Sequence, residues 1–246
     1  MSPTVYLITG ANGGIGLALV TEYAQRANNI IVAGVRDNTK SAALRAIVPA
    51  SSSKIIIVKI DSLSATDPAT AVASLSKHSI THLDVVIANA GIANHWGSAI
   101  TTPAEELEVH LKVNAVGPLV LFQAVYPLLE KSTVQPKFVA ISTGIASITD
   151  MEQFPVPSTA YGTSKAALNY VMRKLHFEHP NIVIYPINPG WVQTDMGSGS
   201  ANSFGMEDAP TTLVDSIVGV TKSIDNATRE GESGKLVSFD GTLNGW

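Results

Sequence analysis

Tyr161 and Lys165 stand four residues apart, so on a helix they share one face. A free phenol titrates at about 10, too high to exchange protons at neutral pH. An ammonium beside it stabilises the phenolate and pulls that value down. A tyrosine tuned in this way is a general acid or base. Near the other end of the chain lies Thr9-Gly10-Ala11-Asn12-Gly13-Gly14-Ile15-Gly16. Glycines at a tight strand-to-helix turn tolerate positive φ and let backbone approach a pyrophosphate. A helix starting near Ile15 offers free N–H groups and the positive end of its dipole. Each motif has a plain alternative: a surface tyrosine beside a surface lysine, and a glycine-rich turn with no ligand. Together, in this order, they point to a dinucleotide held beside a proton-transfer group.

The elements that must position these groups alternate along the whole chain. Apolar, β-branched runs predict strands over 5–9, 30–35, 54–60, 83–88, 138–142, 182–187 and 235–239. Their continuous apolar character suits strands buried on both faces of a parallel sheet. Helical patterns fall between them, over 15–27, 41–48, 68–77, 103–131 with possible breaks, 161–178 and 210–224. The expectation is one α/β domain spanning 1–246, an open sheet with helices on both faces. Ligands in such sheets bind beyond the carboxyl ends of the strands. Three segments there, 92–102, 149–159 and 197–209, read as substrate loops.

The second strand ends Ala33-Gly34-Val35-Arg36-Asp37. An NAD site places an acid at this strand end for the ribose 2′-hydroxyl, whereas an arginine accommodates a 2′-phosphate. Val35 takes the acid's place and Arg36 supplies the planar fork, which favours NADP. Asp37 is the acid displaced by one residue in the competing reading. Asp61, after the third strand, is a candidate for the adenine amino group. Asn89-Ala90-Gly91 follows the fourth strand, where Ala90 and Gly91 let backbone pack close to the cofactor. Asn89 could instead be a turn residue bonding its own backbone.

Thr9 to Gly16, Asn89-Ala90-Gly91, Asn114, Tyr161 to Lys165 and Pro189-Gly190 resemble the short-chain dehydrogenase/reductases, in order and over essentially the whole chain. More narrowly, Tyr161-Gly162-Thr163-Ser164-Lys165-Ala166-Ala167-Leu168-Asn169, Pro189-Gly190-Trp191-Val192-Gln193-Thr194-Asp195-Met196-Gly197 and Asp240-Gly241 are similar to sniffer-type carbonyl reductases and fungal ketoreductases of the norsolorinic-acid type. The resemblance implies a single Rossmann domain with a doubly wound, seven-stranded parallel sheet. It also implies reversible hydride transfer between NAD(P) and a carbonyl/alcohol pair. Tyr161 would give a proton to the carbonyl oxygen. Lys165 would lower its pKa and bind the nicotinamide ribose. Asn114 would hold a water relaying protons to Lys165; its alternative is a buried amide that caps or kinks the helix. Gly10, Asn12, Gly13, Gly14, Ile15 and Gly16 would line the pyrophosphate. Pro189, Gly190, Val192 and Thr194 would run past the nicotinamide. The family's catalytic serine falls in Ala140-Ile141-Ser142-Thr143-Gly144-Ile145-Ala146-Ser147. Thr143 stands in the usual slot, and its hydroxyl can donate. Ser142 fits only if the strand end shifts by one, since strand neighbours face opposite sides; Ser147 is a third candidate. Gly13 stands where many relatives carry a basic residue.

Composition narrows the function further. The net charge of -4 argues against nucleic acid, which calls for a basic patch. The chain has no cysteine, which excludes disulfides, thiolate metal sites and cysteine nucleophiles. His78 and His82 share helical spacing, but a strand starts right after them and no third ligand is visible, so no metal is expected. Met1-Ser2-Pro3-Thr4 lacks a basic or apolar leader, so a cytoplasmic location is expected. The longest apolar run, 113–129, is broken by Asn114, Pro118, Gln123 and Pro127 and reads as a buried helix, not a membrane span. His95-Trp96 either lines the substrate cleft or forms a surface turn. Leu119, Leu121, Phe122 and Val125 supply more apolar surface than one sheet face needs. The resemblance implies pairing through the long helices, here 103–131 and 161–178, so a homodimer or homotetramer is expected. The leading functional expectation is an NADPH-dependent reductase of a small carbonyl substrate, fitting secondary metabolism. The alternatives are an NAD-dependent secondary-alcohol dehydrogenase and an NADP-binding regulator impaired in catalysis.

Overall fold

The computed structural model describes residues 2–246. Among them eight strands form one sheet: β1 (Thr4–Thr9), β2 (Asn29–Val35), β3 (Lys54–Lys59), β4 (Val85–Ala88), β5 (Lys137–Ile141), β6 (Val183–Asn188), β7 (Leu236–Ser238) and β8 (Leu243–Asn244). Their order is β3-β2-β1-β4-β5-β6-β7-β8. The first seven are parallel, as expected for a doubly wound Rossmann sheet. The eighth is a correction to the seven-strand expectation. It returns antiparallel to β7 through a turn at Gly241, φ 89°. Two residues are too few to show an alternating pattern in sequence.

The helices are α1 (Gly14–Gln25), α2 (Ala42–Ala46), α3 (Asp67–Ser74), α4 (Ala104–Leu111), α5 (Gly117–Leu129), α6 (Thr159–Glu178), α7 (Asp195–Ser203) and α8 (Leu213–Asn226). Successive strand residues face opposite sides, and the first strand shows the result. Val5 and Leu7 pack with Leu75, Leu121, Phe122, Val125, Leu168 and Met172, from the α3, α5 and α6 side. Tyr6 and Ile8 pack with Leu19, Val20, Tyr23, Ile217, Val220 and Ile224, from α1 and α8. This double burial makes the strand sequences continuously apolar. β1 and β4 are neighbours whose connections leave to opposite sides, and a crevice opens beyond their carboxyl ends.

Two expectations change, and the possible breaks in 103–131 are located. Residues 197–209 were expected as a loop, but α7 occupies most of that stretch. Its sequence is poor in helix formers; Thr194 caps it, accepting from the Gly197 N–H at 3.1 Å. Ser200 and Ser203 also bond back to the Gly197 and Gly199 carbonyls. The run 103–131 is two α-helices joined by one π turn, Lys112–Val116. By length and hydropathy alone Ala104–Leu129 could cross a membrane, and 39% of that window is buried inside the fold. Leu121, Phe122 and Val125 are at most 3% exposed and Leu119 is half-buried. The surplus apolar surface from which pairing was expected is therefore spent inside the monomer.

Candidate active site

The glycine loop between β1 and α1 is built around contacts that exclude side chains. At Gly16 a Cβ would collide with the Gly10 carbonyl oxygen, and at Gly10 (φ 64°) it would stand 2.9 Å from Ala90 Cα. Asn89 braces this loop. Its Nδ2 donates to the Thr9 carbonyl at 2.8 Å and to the Gly10 carbonyl at 3.3 Å. The Thr9 hydroxyl accepts from the N–H groups of Asn89 and Ala90, both at 3.1 Å. Asn89 is thus no self-bonded turn residue but a tie across the switch point. α1 begins at Gly14, with Gly13 as its N-cap, no side-chain cap and no acid in its first turn. Its first N–H groups have no side-chain acceptor, the arrangement an anion uses. Asn12, Gly13 and Gly14 are exposed there, with Ile15 half-buried behind them.

At the end of β2, Val35 is fully buried and Arg36 is exposed. Asp37 turns to local work: Oδ1 accepts from the Thr39 N–H at 2.9 Å and from its hydroxyl at 2.6 Å. These bonds hold the Asp37 carboxyl below the usual carboxylate range. Asp61, just past β3, accepts from the Leu63 N–H at 3.0 Å, closing a turn at the crevice rim.

Tyr161 and Lys165 lie on the first two turns of α6. Lys165 is buried, and its Nζ donates to the Ile141 carbonyl at 2.7 Å. Burial pulls its ammonium down to about 8. Nζ is 6.0 Å from the centre of the Tyr161 ring. Desolvation pushes the Tyr161 phenol up to about 12, and a hydrogen bond with Thr143 opposes this. The expected lowering by Lys165 is not seen: burial sets the direction, and the ammonium is turned to a backbone carbonyl.

The two hydroxyls after β5 point apart. Ser142 is buried and donates to Asn169 Oδ1 at 2.7 Å. Thr143 faces Tyr161 and accepts from the Ile145 N–H at 3.3 Å, capping a short turn, Gly144–Ala146. Ser147 is fully buried and bonds Asp150. The geometry brings Thr143, not Ser142 or Ser147, to the phenol. Asn114 sits in the π turn, fully buried. Its Nδ2 donates to the Ile92 carbonyl and to the Ser164 hydroxyl, both at 2.9 Å, and its Oδ1 accepts from the Ile92 N–H at 2.8 Å. Gly91 is the gap between groups: a Cβ there would lie 3.1 Å from Asn114 Oδ1 and 3.4 Å from Lys165 Nζ.

Residues 189–194 close the crevice on the far side. Gly190 takes φ 86°, Val192 bridges Thr211, and the Thr194 methyl lies 3.4 Å from where a Gly14 Cβ would be. Pro189 accepts from the Ser216 hydroxyl at 2.7 Å, which fixes the start of this stretch on α8. Trp96 lies over Tyr161, with ring centres 5.6 Å apart, and Phe204 meets Trp96 edge-on at 5.4 Å. Neither Phe204 nor Ser164 stands out by spacing. Phe204 is the lone aromatic of its segment, and Ser164 carries no local signal.

The chain belongs to the short chain dehydrogenase family, whose model matches residues 4–203. It is 45% identical to norsolorinic acid ketoreductase of Aspergillus parasiticus, an alignment covering 99% of this chain and 91% of that one. Among solved structures it is similar to the NADPH-bound carbonyl reductase from chicken fatty liver, with 26% identity, a TM-score of 0.87 and 100% and 95% of the two chains covered. It is likewise similar to the carbonyl reductase Sniffer of D. melanogaster, with 26% identity, a TM-score of 0.84 and full coverage of both chains.

Proposed function

We propose that this chain is an NADPH-dependent carbonyl reductase whose substrate is a ketone. The observation that carries this reading is the hydroxyl pair of Tyr161 and Thr143, set beside buried Lys165 across a crevice from the glycine loop. Similarity to a ketoreductase and to an NADPH-bound carbonyl reductase supports it. Residues present fit the cofactor: the Gly10–Gly16 turn excludes side chains, α1 starts uncapped, and Arg36 stands exposed where a 2′-phosphate belongs. Gly10, Asn12, Gly13, Gly14, Ile15 and Gly16 would hold the pyrophosphate, Asp61 the adenine, and Asn89, Ala90 and Gly91 the ribose side. Pro189, Gly190, Val192 and Thr194 would hold the nicotinamide end. When bound, NADPH supplies the hydride.

The chain's own groups handle the proton. Tyr161, with its phenol held up by burial, keeps its proton at neutral pH and delivers it to the carbonyl oxygen. Thr143 donates a second hydrogen bond to that oxygen. Asn114 Oδ1 and Lys165 Nζ flank Gly91, the place from which a water-borne proton path could refill Tyr161. The NAD-dependent dehydrogenase reading loses support because Val35 is no acid and Asp37 caps its own turn. The regulator reading loses support because Thr143 faces the phenol. Reduction of a panel of ketones, quinones and aldehydes, followed at the NADPH absorbance, tests the reading; no turnover of any of them overturns it.

Two expectations belong here. Arg36→Ala should weaken NADPH by roughly 1.5–3 kcal/mol, the worth of a charged hydrogen bond, and leave NADH nearly unchanged. Fluorescence titration of both cofactors checks this, and equal losses rule the assignment out. Association into a homodimer or homotetramer through the long helices is the second; the exposure of Tyr170 and Phe177 on α6, 73% and 64%, supports it. Sedimentation should show a species heavier than 25.8 kDa at micromolar concentration; a pure monomer refutes it.

A further inference from the structure

The hairpin of β7 and β8 is bonded to two separate stretches of the site. One begins at Asn188, the last residue of β6, and continues into 189–194. Asn188 Nδ2 donates to the Ser238 hydroxyl at 3.0 Å and to Asn244 Oδ1 at 3.5 Å. The Ser238 hydroxyl donates to the same Asn244 oxygen at 3.0 Å. Asn188 Oδ1 accepts from the Gly190 N–H at 3.1 Å, so the hairpin's hold passes into the stretch that follows. Phe239, in the hairpin turn, closes on it as well: a Cβ on Gly190 would lie 2.9 Å from the Phe239 ring.

The other stretch carries Thr143. Past β8 the Gly245 N–H donates to Asp150 Oδ2 at 2.8 Å. The Trp246 backbone oxygen accepts from the Thr149 N–H and from its hydroxyl, both at 2.7 Å. The Trp246 ring lies 5.5 Å from the Arg173 guanidinium on α6, the helix of Tyr161. Asp150 passes the connection inward. Its Oδ2 also accepts from the Ser147 hydroxyl at 3.1 Å, and the Ser147 hydroxyl oxygen accepts from the Asp150 N–H at 2.9 Å. Ser147 is fully buried, and its own N–H donates to the Gly144 carbonyl at 3.0 Å, closing the short turn that Thr143 caps. Gly245 makes the approach possible. A Cβ there would stand 2.8 Å from Thr149 Cβ and 3.0 Å from Asp150 Oδ2. Loops are ordinarily the mobile part of a site; this one is bonded to a hairpin that is itself bonded to Asn188.

We propose that residues 238–246 are a strap that sets the Thr143 turn against the 189–194 stretch, with Asp150 as the positioning residue that fastens it. This rests on the reductase reading above, and Asp150 acts through Thr143. Asp150→Ala cuts the strap from the loop side, and Gly245→Ala wedges it away from the hairpin side. Each should lower kcat for ketone reduction roughly 10-fold, short of the about 100-fold that a misplacement of about 1 Å can cost. The NADPH dissociation constant should stay within about 2-fold of wild type. Asp150→Asn keeps an oxygen for the Gly245 N–H and should restore most of kcat. The double alanine variant should be no slower than the slower single one, because both changes break one connection. Hydrogen exchange at residues 144–150 of the protein alone should quicken in both alanine variants and return towards wild type in Asp150→Asn. Full kcat in either alanine variant overturns the proposal, even where the melting temperature falls. A loss that Asp150→Asn does not restore, or losses that multiply in the double variant, also overturn it. If the wild type reduces no ketone, the reductase reading falls and the exchange measurement decides the strap. Quickened exchange around the Thr143 turn in both alanine variants then sustains it, and unchanged exchange overturns it.

Discussion

Tyr161→Phe should lower ketone turnover by roughly 100-fold or more, the usual contribution of a positioned general acid, while fold and NADPH affinity survive. Only one oxygen is removed, from a ring whose packing against Trp96 is unchanged. The hydroxyl's partner is the side chain of Thr143, so no backbone group is stranded by its loss. Thr143→Val keeps the shape and deletes the second donor, so it should also lower turnover, by less. Ser142→Ala separates catalysis from structure. Its hydroxyl serves Asn169, so the expected result is a loss of roughly 1–3 kcal/mol of stability with turnover largely kept. Steady-state kinetics and thermal melts on the three variants check this. A Tyr161→Phe enzyme near wild type sinks the mechanism. If Ser142→Ala proves the crippling change, the hydroxyl assignment after β5 is wrong.

Strand and helix order was legible because burial on both faces leaves continuous apolar runs, and such runs survive without knowledge of partners. α7 was not legible: its Gly/Ser composition argues for a loop, and the helix owes its existence to the Thr194 cap and to serine hydroxyls bonding back. Propensity is a weak prior against such context. The glycine loop, Asn89, Tyr161 and Lys165 were legible from type and spacing, Asn114 only through the family resemblance, and the structure brings them around one crevice. The choice between Thr143 and Ser142 needed geometry, since sequence gives two adjacent hydroxyls without the point where the strand ends. The rise of the Tyr161 phenol is illegible in sequence for a related reason. Spacing says that an ammonium is near; it does not say how dry the phenol is or that Nζ is turned to Ile141. The apolar face of α5 looked like an interface because sequence cannot tell which surface the sheet already covers.

Lys165→Met should remove activity and raise stability together. The ammonium titrates at 10.5 in the unfolded chain and at about 8 in the fold, with burial as the cause. The folded state therefore binds this proton less tightly than the unfolded one. The resulting cost is present in full below about pH 8 and is relieved as pH rises towards 10.5. A displacement of that size is worth roughly 3 kcal/mol. Methionine fills a similar volume without charge, but it forfeits a charged hydrogen bond to the Ile141 carbonyl, worth roughly 1.5–3 kcal/mol. The net expectation at pH 7 is a gain on the order of 0–1.5 kcal/mol, or a melting temperature unchanged to roughly 6 °C higher for a chain of this size. At pH 10 the gain should vanish and turn into a small loss. Turnover should fall by roughly 100-fold or more, and NADPH should bind more weakly, if Lys165 has the two roles proposed for it, in the proton path and at the ribose. Reduction by the wild type should also decline as pH rises through about 8, where Nζ loses its charge. Such a residue is kept against the interest of the fold, as functional groups in a dry site commonly are. Calorimetric melts at pH 7 and pH 10, set beside kinetics at pH 7, decide the matter. A Lys165→Met protein that melts lower than wild type at pH 7, or that still turns over ketone, would remove Lys165 from the role given to it.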